Sequence, residues 1–340
     1  MIYQNLDSNP NPIVSMIVFT YNQETMVSQT IDSLLAQKTS YPHEIILVDD
    51  CSTDKTLDVC LEYYNKYPDL IRVIENDTNK GFMRNYHESI SEYARGKYIA
   101  PVAGDDWWHA QDKIQKQIDF LEAHPDYDMV YSDSLIYLQD KKKIEKYSPC
   151  EVDASFLQLM YYNCIVAATA CYTKKIFDNY LKCIDPVKQN FVCEDLPLWL
   201  WISYKSKIFH IKEPLTTYRK LNQSLSHFTS IKKEYDFYVA TKDIKLFLFK
   251  YLGINNKDLL HDIFFDFYVI TLLLASKIED SKVQTERELF FKNEKHFIFY
   301  FLSKVNKKIA KGSFANVLPY LNKLGFKKHI YKVFGKLYSY

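Results

Sequence analysis

Along the first 140 residues, short runs of apolar residues alternate with longer stretches in which apolar positions recur every three or four. Residues 13–19 (IVSMIVF), 44–48 (EIILV), 70–74 and 97–102 read as strands, and residues 129–131 begin another. Between them, residues 24–37 carry Met26, Val27, Ile31, Leu34 and Leu35 at helical spacing, and 54–67, 82–94 and 111–123 follow the same period. Ser52 or Thr53 stands where the second helix needs a cap. Strands alternating with helices of this length predict parallel βαβ units. Near-continuous apolar strands predict a sheet covered on both faces.

In such a sheet ligands sit beyond the carboxyl ends of the strands. The residues that follow each strand are polar and acidic: Thr20-Tyr21-Asn22, Asp49-Asp50-Cys51-Ser52, Asn76-Asp77 with Asn79-Lys80-Gly81, and Gly104-Asp105-Asp106-Trp107. From about residue 150 the pattern loosens. The run Asp140-Lys141-Lys142-Lys143 reads as a hairpin tip, 165–172 and 208–211 as strands, and 196–204 as a helix with Glu194 and Asp195 at its start. From about residue 230 the reading is helical, with apolar positions at helical spacing in 257–277 and 286–306.

Composition narrows the chemistry. The seven cysteines are odd in number and contain no CxxC pair, which argues against a disulfide framework or a zinc ribbon and fits a reducing compartment. The first twelve residues do not read as a signal peptide, and no run reaches the roughly 18 uncharged apolar residues of a membrane span. A net charge of +1 points to no nucleic-acid partner. Residues 281–340 are the exception, with twelve Lys and one Arg against three Glu. The interleaved lysines of FKKHIYKVFGKLYSY suit either a solvated helix face or peripheral contact with anionic lipid. Seven glycines, none spaced as GxG and none before residue 81, leave neither a dinucleotide fingerprint nor a P-loop. A nucleotide diphosphate would then be held by a metal ion on carboxylates.

The adjacent carboxylates Asp105 and Asp106 repel each other and favour a divalent cation. Hard oxygen ligands suit Mn²⁺ or Mg²⁺. Read alone, the pair fits a turn or a helix cap equally well. Asp49 and Asp50 end a strand in the same way and can accept from a base or ribose, while Asp54 reads as a helix-start residue. Arg84, after Gly81, suits a site near negative charge. His210 and His227 could each add a metal ligand.

Taken together, VSMIVFTYNQE (14–24), EIILVDDCSTDKT (44–56), NKGFMRNYH (79–87), GKYIAPVAGDDWW (96–108) and the acidic pair at 194–195 resemble the family 2 glycosyltransferases of GT-A fold. The resemblance covers roughly residues 11–225. It implies an α/β fold: a GT-A type, Rossmann-like mixed sheet with flanking helices, plus a helical C-terminal region. The expected organisation is a glycosyltransferase domain over 1–228, with a nucleotide-binding half at about 11–135 and an acceptor half at about 136–228, followed by a helical region at 229–340.

By resemblance, Thr20, Tyr21 and Asn22 lie at the donor, with Tyr21 on the base. Asp50, with Asp49 beside it, binds base or ribose, and Arg84 sits near the nucleotide. Asp105 lies near the ribose or metal, Asp106 coordinates the metal, Arg219 holds phosphate and Asp195 is the general base. Ala103 replaces the acid that many members carry two residues before Asp105, which favours Asp105-Asp106 as the working unit. No QxxRW motif occurs, so the resemblance implies transfer of one sugar rather than polymerisation.

The expected activity is inverting transfer from a nucleotide-diphosphate donor, a UDP-sugar, to a saccharide or lipid-linked saccharide in cell-surface polysaccharide synthesis. The expected setting is the cytoplasm, at the inner face of the membrane. A sugar-phosphate nucleotidyltransferase would carry a Gly-rich N-terminal loop, and a non-catalytic scaffold on this fold would lack the carboxylates.

Overall fold

The computed structural model describes residues 1–5, 11–147, 154–221 and 230–256, with residues 260, 278, 283 and 285 beyond them. Among these residues nine strands form one mixed sheet. They are β1 (Ile2–Tyr3), β2 (Val14–Thr20), β3 (His43–Asp49), β4 (Ile71–Glu75), β5 (Tyr98–Ala103), β6 (Tyr127–Leu138), β7 (Lys143–Tyr147), β8 (Cys171–Thr173) and β9 (Lys207–Lys220). The helices are α1 (Val27–Leu35), α2 (Thr56–Lys66), α3 (Phe82–Tyr93), α4 (Lys113–Ala123), α5 (Phe156–Tyr161), α6 (Lys174–Ile184), α7 (Asp195–Lys205) and α8 (Ile231–Tyr251).

The strand order is β1-β4-β3-β2-β5-β8-β6-β7, with β9 beside β6. Strands β4, β3, β2 and β5 are parallel, as the alternating pattern predicts. Their apolar runs are buried on both faces: every residue of β2 is buried, and Ile45, Ile46, Leu47 and Val48 of β3 have no exposure. The register pairs Thr20 with Asp49, Asp49 with Glu75 and Phe19 with Ala103, so four strands end level and present their following loops at one edge.

Three expectations change. Residues 165–172 are not one strand: Ala167–Thr169 is a 3-10 turn, and only Cys171–Thr173 joins the sheet, antiparallel to β5 and β6. The strand read at 208–211 runs on to Lys220 in parallel with β6, through irregular register near Asp133 that accommodates Pro214. Cys164 is disulfide-bonded, whereas Cys51, Cys60, Cys171, Cys183 and Cys193 are free. Spacing along the chain does not say which sulfurs meet in space.

The chain divides into two compact units, one of residues 1–229 with 240–257, the other of 230–239 with 258–340. Within the second, Tyr235, Ile278 and Val283 form a small buried cluster with Tyr238 and Val239. No helix among the described residues is long and apolar enough to cross a membrane. The helices read at 257–277 and 286–306, His227, and the basic tail lie outside the described residues but for Leu260, Val283 and Thr285.

Candidate active site

The ladder continues into the loops at the level edge. Asp50 N–H donates to Thr20 O (3.0 Å), Asn76 N–H to Asp49 O (3.0 Å) and Gly104 N–H to Phe19 O (2.9 Å). Asn22 takes a positive φ of 53°, which asparagine tolerates. Its amide donates to Ser52 Oγ at 3.0 Å and its Oδ1 accepts Thr53 N–H at 2.8 Å. Gln23 N–H donates to Thr56 Oγ1 at 2.7 Å. The first two loops are thus laced together, with the Tyr21 ring left 46% exposed at their rim. Thr20 is buried and donates to Gln23 Oε1 at 2.9 Å.

Asp49 and Asp50 are buried and largely committed to protein donors. Asp49 accepts the amide and hydroxyl of Ser52, yet burial still holds its carboxyl above the usual range. Asp50 accepts Asn76 Nδ2 (2.8 Å), Lys80 N–H (2.9 Å) and Gly81 N–H (3.0 Å), which folds the third loop over it. Gly81, at φ 75°, then opens α3. Arg84, in the first turn of α3, is exposed and pairs with Glu88 at 3.4 Å.

The Asp105–Asp106 loop is pinned from both sides. The buried Thr30 hydroxyl lies 2.8 Å from Gly104 O and 2.7 Å from Asp106 O. From β9, Arg219 N–H donates to Asp106 Oδ1 at 2.7 Å, and Arg219 Nε donates to Asp105 O at 2.8 Å. Its other two guanidinium nitrogens reach Gln139 and Gln29, and its plane lies 4.8 Å from the Trp107 ring centre and 5.4 Å from that of Tyr137. All three guanidinium nitrogens therefore have protein acceptors, and Arg219 acts as a brace for the acidic loop.

Burial, then the charge of Asp105, pushes Asp106 well above the ordinary carboxylate range. Asp105 is also raised by burial, against the pull of Arg219 and a hydrogen bond from Gln23. Such a pair ionises fully when a cation joins it. Its donor set, two carboxylates, fits Mn²⁺ or Mg²⁺. Among the described residues no group of three acidic, histidine or cysteine side chains forms a metal cage, so other ligands would come from diphosphate oxygens and water.

Asp195 stands at the start of α7, a helix apolar all round and buried from Leu196 to Ile202. Its Oδ1 accepts Leu196 N–H at 2.6 Å, and its Oδ2 accepts Asn163 Nδ2 at 2.7 Å. Burial, then the neighbouring Asp195 charge, pushes Glu194 up to about 8, and burial raises Asp195 as well. Aromatic packing links this pair to the sheet edge. Tyr86 of α3 lies 5.0 Å from the Phe19 ring at the end of β2, and its hydroxyl lies 2.7 Å from that of Tyr172, both in the field of Glu194.

His210 is buried in β9, with Nε2 2.8 Å from Asp133 Oδ1 and its ring stacked on Tyr131. It ties β6 to β9 beside their irregular register rather than joining Asp105 and Asp106. Sequence reasoning missed Gln23, Thr30, Gln139 and Asn163, polar residues whose partners are distant in the chain. The model of the glycosyl transferase family 2 matches residues 15–178.

Over those residues the chain is similar to glycosyl transferase family 2.

The chain is 39% identical over 115 residues to the putative teichuronic acid biosynthesis glycosyltransferase TuaG of Bacillus subtilis, covering 34% of this chain and 44% of TuaG. It spans 60% of the length of mycobacterial relatives that it matches at 28% identity. Among solved structures it is similar to Staphylococcus aureus TarS in complex with UDP-GlcNAc, with 21% identity, a TM-score of 0.53, and 69% of this chain and 66% of that one covered. It is also similar to the mannosyltransferase PcManGT of Pyrobaculum calidifontis in complex with GDP-Man and Mn²⁺, with 14% identity, a TM-score of 0.54, and 97% and 88% covered. Both likenesses are of fold, and they bear out the expected GT-A architecture with its mixed sheet and flanking helices.

Proposed function

We propose that the chain moves one sugar, with inversion, from a UDP-sugar to a hydroxyl of a saccharide or lipid-linked saccharide in cell-surface polysaccharide synthesis. The observation that carries this reading is the adjacent Asp105–Asp106 pair at the end of β5, half-buried and buried respectively, with its loop braced by Thr30 and Arg219. TarS with UDP-GlcNAc and PcManGT with GDP-Man and Mn²⁺ support a nucleotide-diphosphate sugar and a divalent ion. TuaG supports a polysaccharide setting.

Asp105 and Asp106 would hold Mn²⁺ or Mg²⁺, which when bound would neutralise the leaving diphosphate. The Tyr21 ring is exposed and suits stacking on the base. Asp50 keeps one acceptor position beyond its three protein donors, enough for a base N–H or a ribose hydroxyl. Thr20, Asn22 and Asp49 would line the donor side, with Arg84 toward the nucleotide. Asp195 would take the proton of the acceptor hydroxyl as it attacks, a step that contributes about 10²–10⁴-fold. Attack from the side opposite the diphosphate gives inversion. We assign residues 11–135 to donor binding, 136–228 to the acceptor side and 229–340 to a separate helical region.

Calorimetric titration with UDP, GDP, CDP and dTDP, each with and without Mn²⁺, tests the reading. UDP binding that requires metal is expected, with Asp195→Asn keeping that binding and losing transfer. Binding of none of the four would refute the donor site and leave Asp105 and Asp106 as turn residues.

A further inference from the structure

Asp195 is held by a side chain from a separate segment of the chain. Helix α5 ends at Tyr161, Tyr162 is extended, and Asn163 follows. Asn163 Oδ1 accepts Ile165 N–H at 3.3 Å, which fixes which end of its amide faces outward. Its Nδ2 then donates to Asp195 Oδ2 at 2.7 Å. The opposite oxygen, Oδ1, accepts Leu196 N–H, and the Cys193 thiol also hydrogen-bonds the carboxylate. Two bonds on opposite oxygens leave the carboxylate one orientation, where an acid at a helix start could otherwise swing back onto the first turn.

The titratable groups around this carboxylate are Glu194 and Cys193 on its own segment, Tyr86 of α3 and Tyr180 of α6, with Tyr172 of β8 beside Glu194. All are acids, neutral or negative. The charged form of Asp195 is therefore supported by hydrogen-bond donors, and Asn163 is the one named that comes from outside residues 193–196.

We propose that Asn163 is a positioning residue of the transfer reaction, aiming the Asp195 carboxylate at the acceptor hydroxyl and stabilising its charged form through the Nδ2–Oδ2 hydrogen bond. The proposal rests on the reading of Asp195 as the base. It identifies the segment between α5 and the 3-10 turn as part of the acceptor-side machinery, held by one side-chain amide.

The test follows UDP release from UDP-GlcNAc or UDP-glucose, whichever the wild-type chain turns over with Mn²⁺, against pH in Asn163→Ala, Asn163→Asp and Asp195→Asn. Asn163→Ala is expected to lower kcat by on the order of 10²-fold at neutral pH, as misplacement of a reacting group does. Its KM and UDP affinity should stay at wild-type values. The acid limb of kcat/KM should move up by about one pH unit, because a donor to the ionised form is gone. Asn163→Asp should move it further and recover rate above pH 8. Difference infrared titration of the Asp195 carboxyl, assigned with Asp195→Asn, reads the same displacement without turnover. A wild-type pH profile and carboxyl titration in Asn163→Ala, with Asp195→Asn inactive, would overturn the role of Asn163 alone. Full turnover in Asp195→Asn would overturn the base assignment itself.

Discussion

Glu194→Gln isolates one term in the stability of this fold. Glu194 precedes α7 without capping it by a side-chain hydrogen bond, and burial and the adjacent Asp195 raise its carboxyl from 4.5 to about 8. At neutral pH Glu194 therefore carries a proton. The folded state binds this proton more tightly than the unfolded chain does. The resulting stability is full below about pH 4.5 and is lost as pH rises through about 8. At about 1.36 kcal/mol per unit the whole shift corresponds to roughly 5 kcal/mol. Glu194 as a whole is only half-buried, so screening brings the expected effect to about 2 kcal/mol.

Glutamine keeps the shape and does not titrate. Thermal melts of wild type and Glu194→Gln should coincide at pH 5. By pH 8.5 they should separate by about 4–8 °C in favour of the variant, at roughly 2–4 °C per kcal/mol for a domain of this size. Groups common to both proteins cancel in the difference. Parallel melting curves from pH 5 to 8.5 would refute the reasoning and mean that Glu194 is ionised at neutral pH.

Two further outcomes follow from named contacts. In Gly104→Ala the new Cβ would stand 2.4 Å from Gln23 Oε1 and 3.0 Å from Thr20. Gln23 must swing off Asp105, so UDP affinity with Mn²⁺ should fall about tenfold or more by calorimetry, at about 1–3 kcal/mol of stability; unchanged affinity would show that Gln23 does not support the site. Lys113 has no exposure, donates to Gln117 Oε1 and lies 4.1 Å from the Trp108 ring centre, and burial pulls its amine down to about 7. Its depressed amine adds stability above about pH 10.5 that is lost as pH falls to about 7. Lys113→Met should therefore melt higher than wild type at pH 7, by about 1–2 kcal/mol after loss of the hydrogen bond and ring contact, with the gain shrinking by pH 10; a gain constant with pH would contradict it.

The alternating apolar runs of residues 13–123 determine four parallel strands and their helices, because both periodicities are properties of consecutive residues. They also determine which loops meet, since parallel strands that end level gather the residues after each one. The edge bearing Tyr21, Asp49, Asp50, Asp105 and Asp106 was legible for that reason.

Tertiary structure decided the rest. The pattern did not reveal β1, α5, α6 or the length of β9, where short elements and irregular register leave too few residues to set a period. Nor does the sequence show that Asp50 spends three acceptor positions on Asn76, Lys80 and Gly81, or that the Arg219 guanidinium turns inward to Gln29 and Gln139. Asn163 and Asp195 stand 32 residues apart and meet because α5 packs against α7, which is held in turn by Trp199 on Tyr172 and Trp201 on Tyr180. Residue types that can ionise or coordinate are written in the chain. Which of them are already satisfied, and so which remain to act on a substrate, depends on partners that folding alone brings within hydrogen-bond distance.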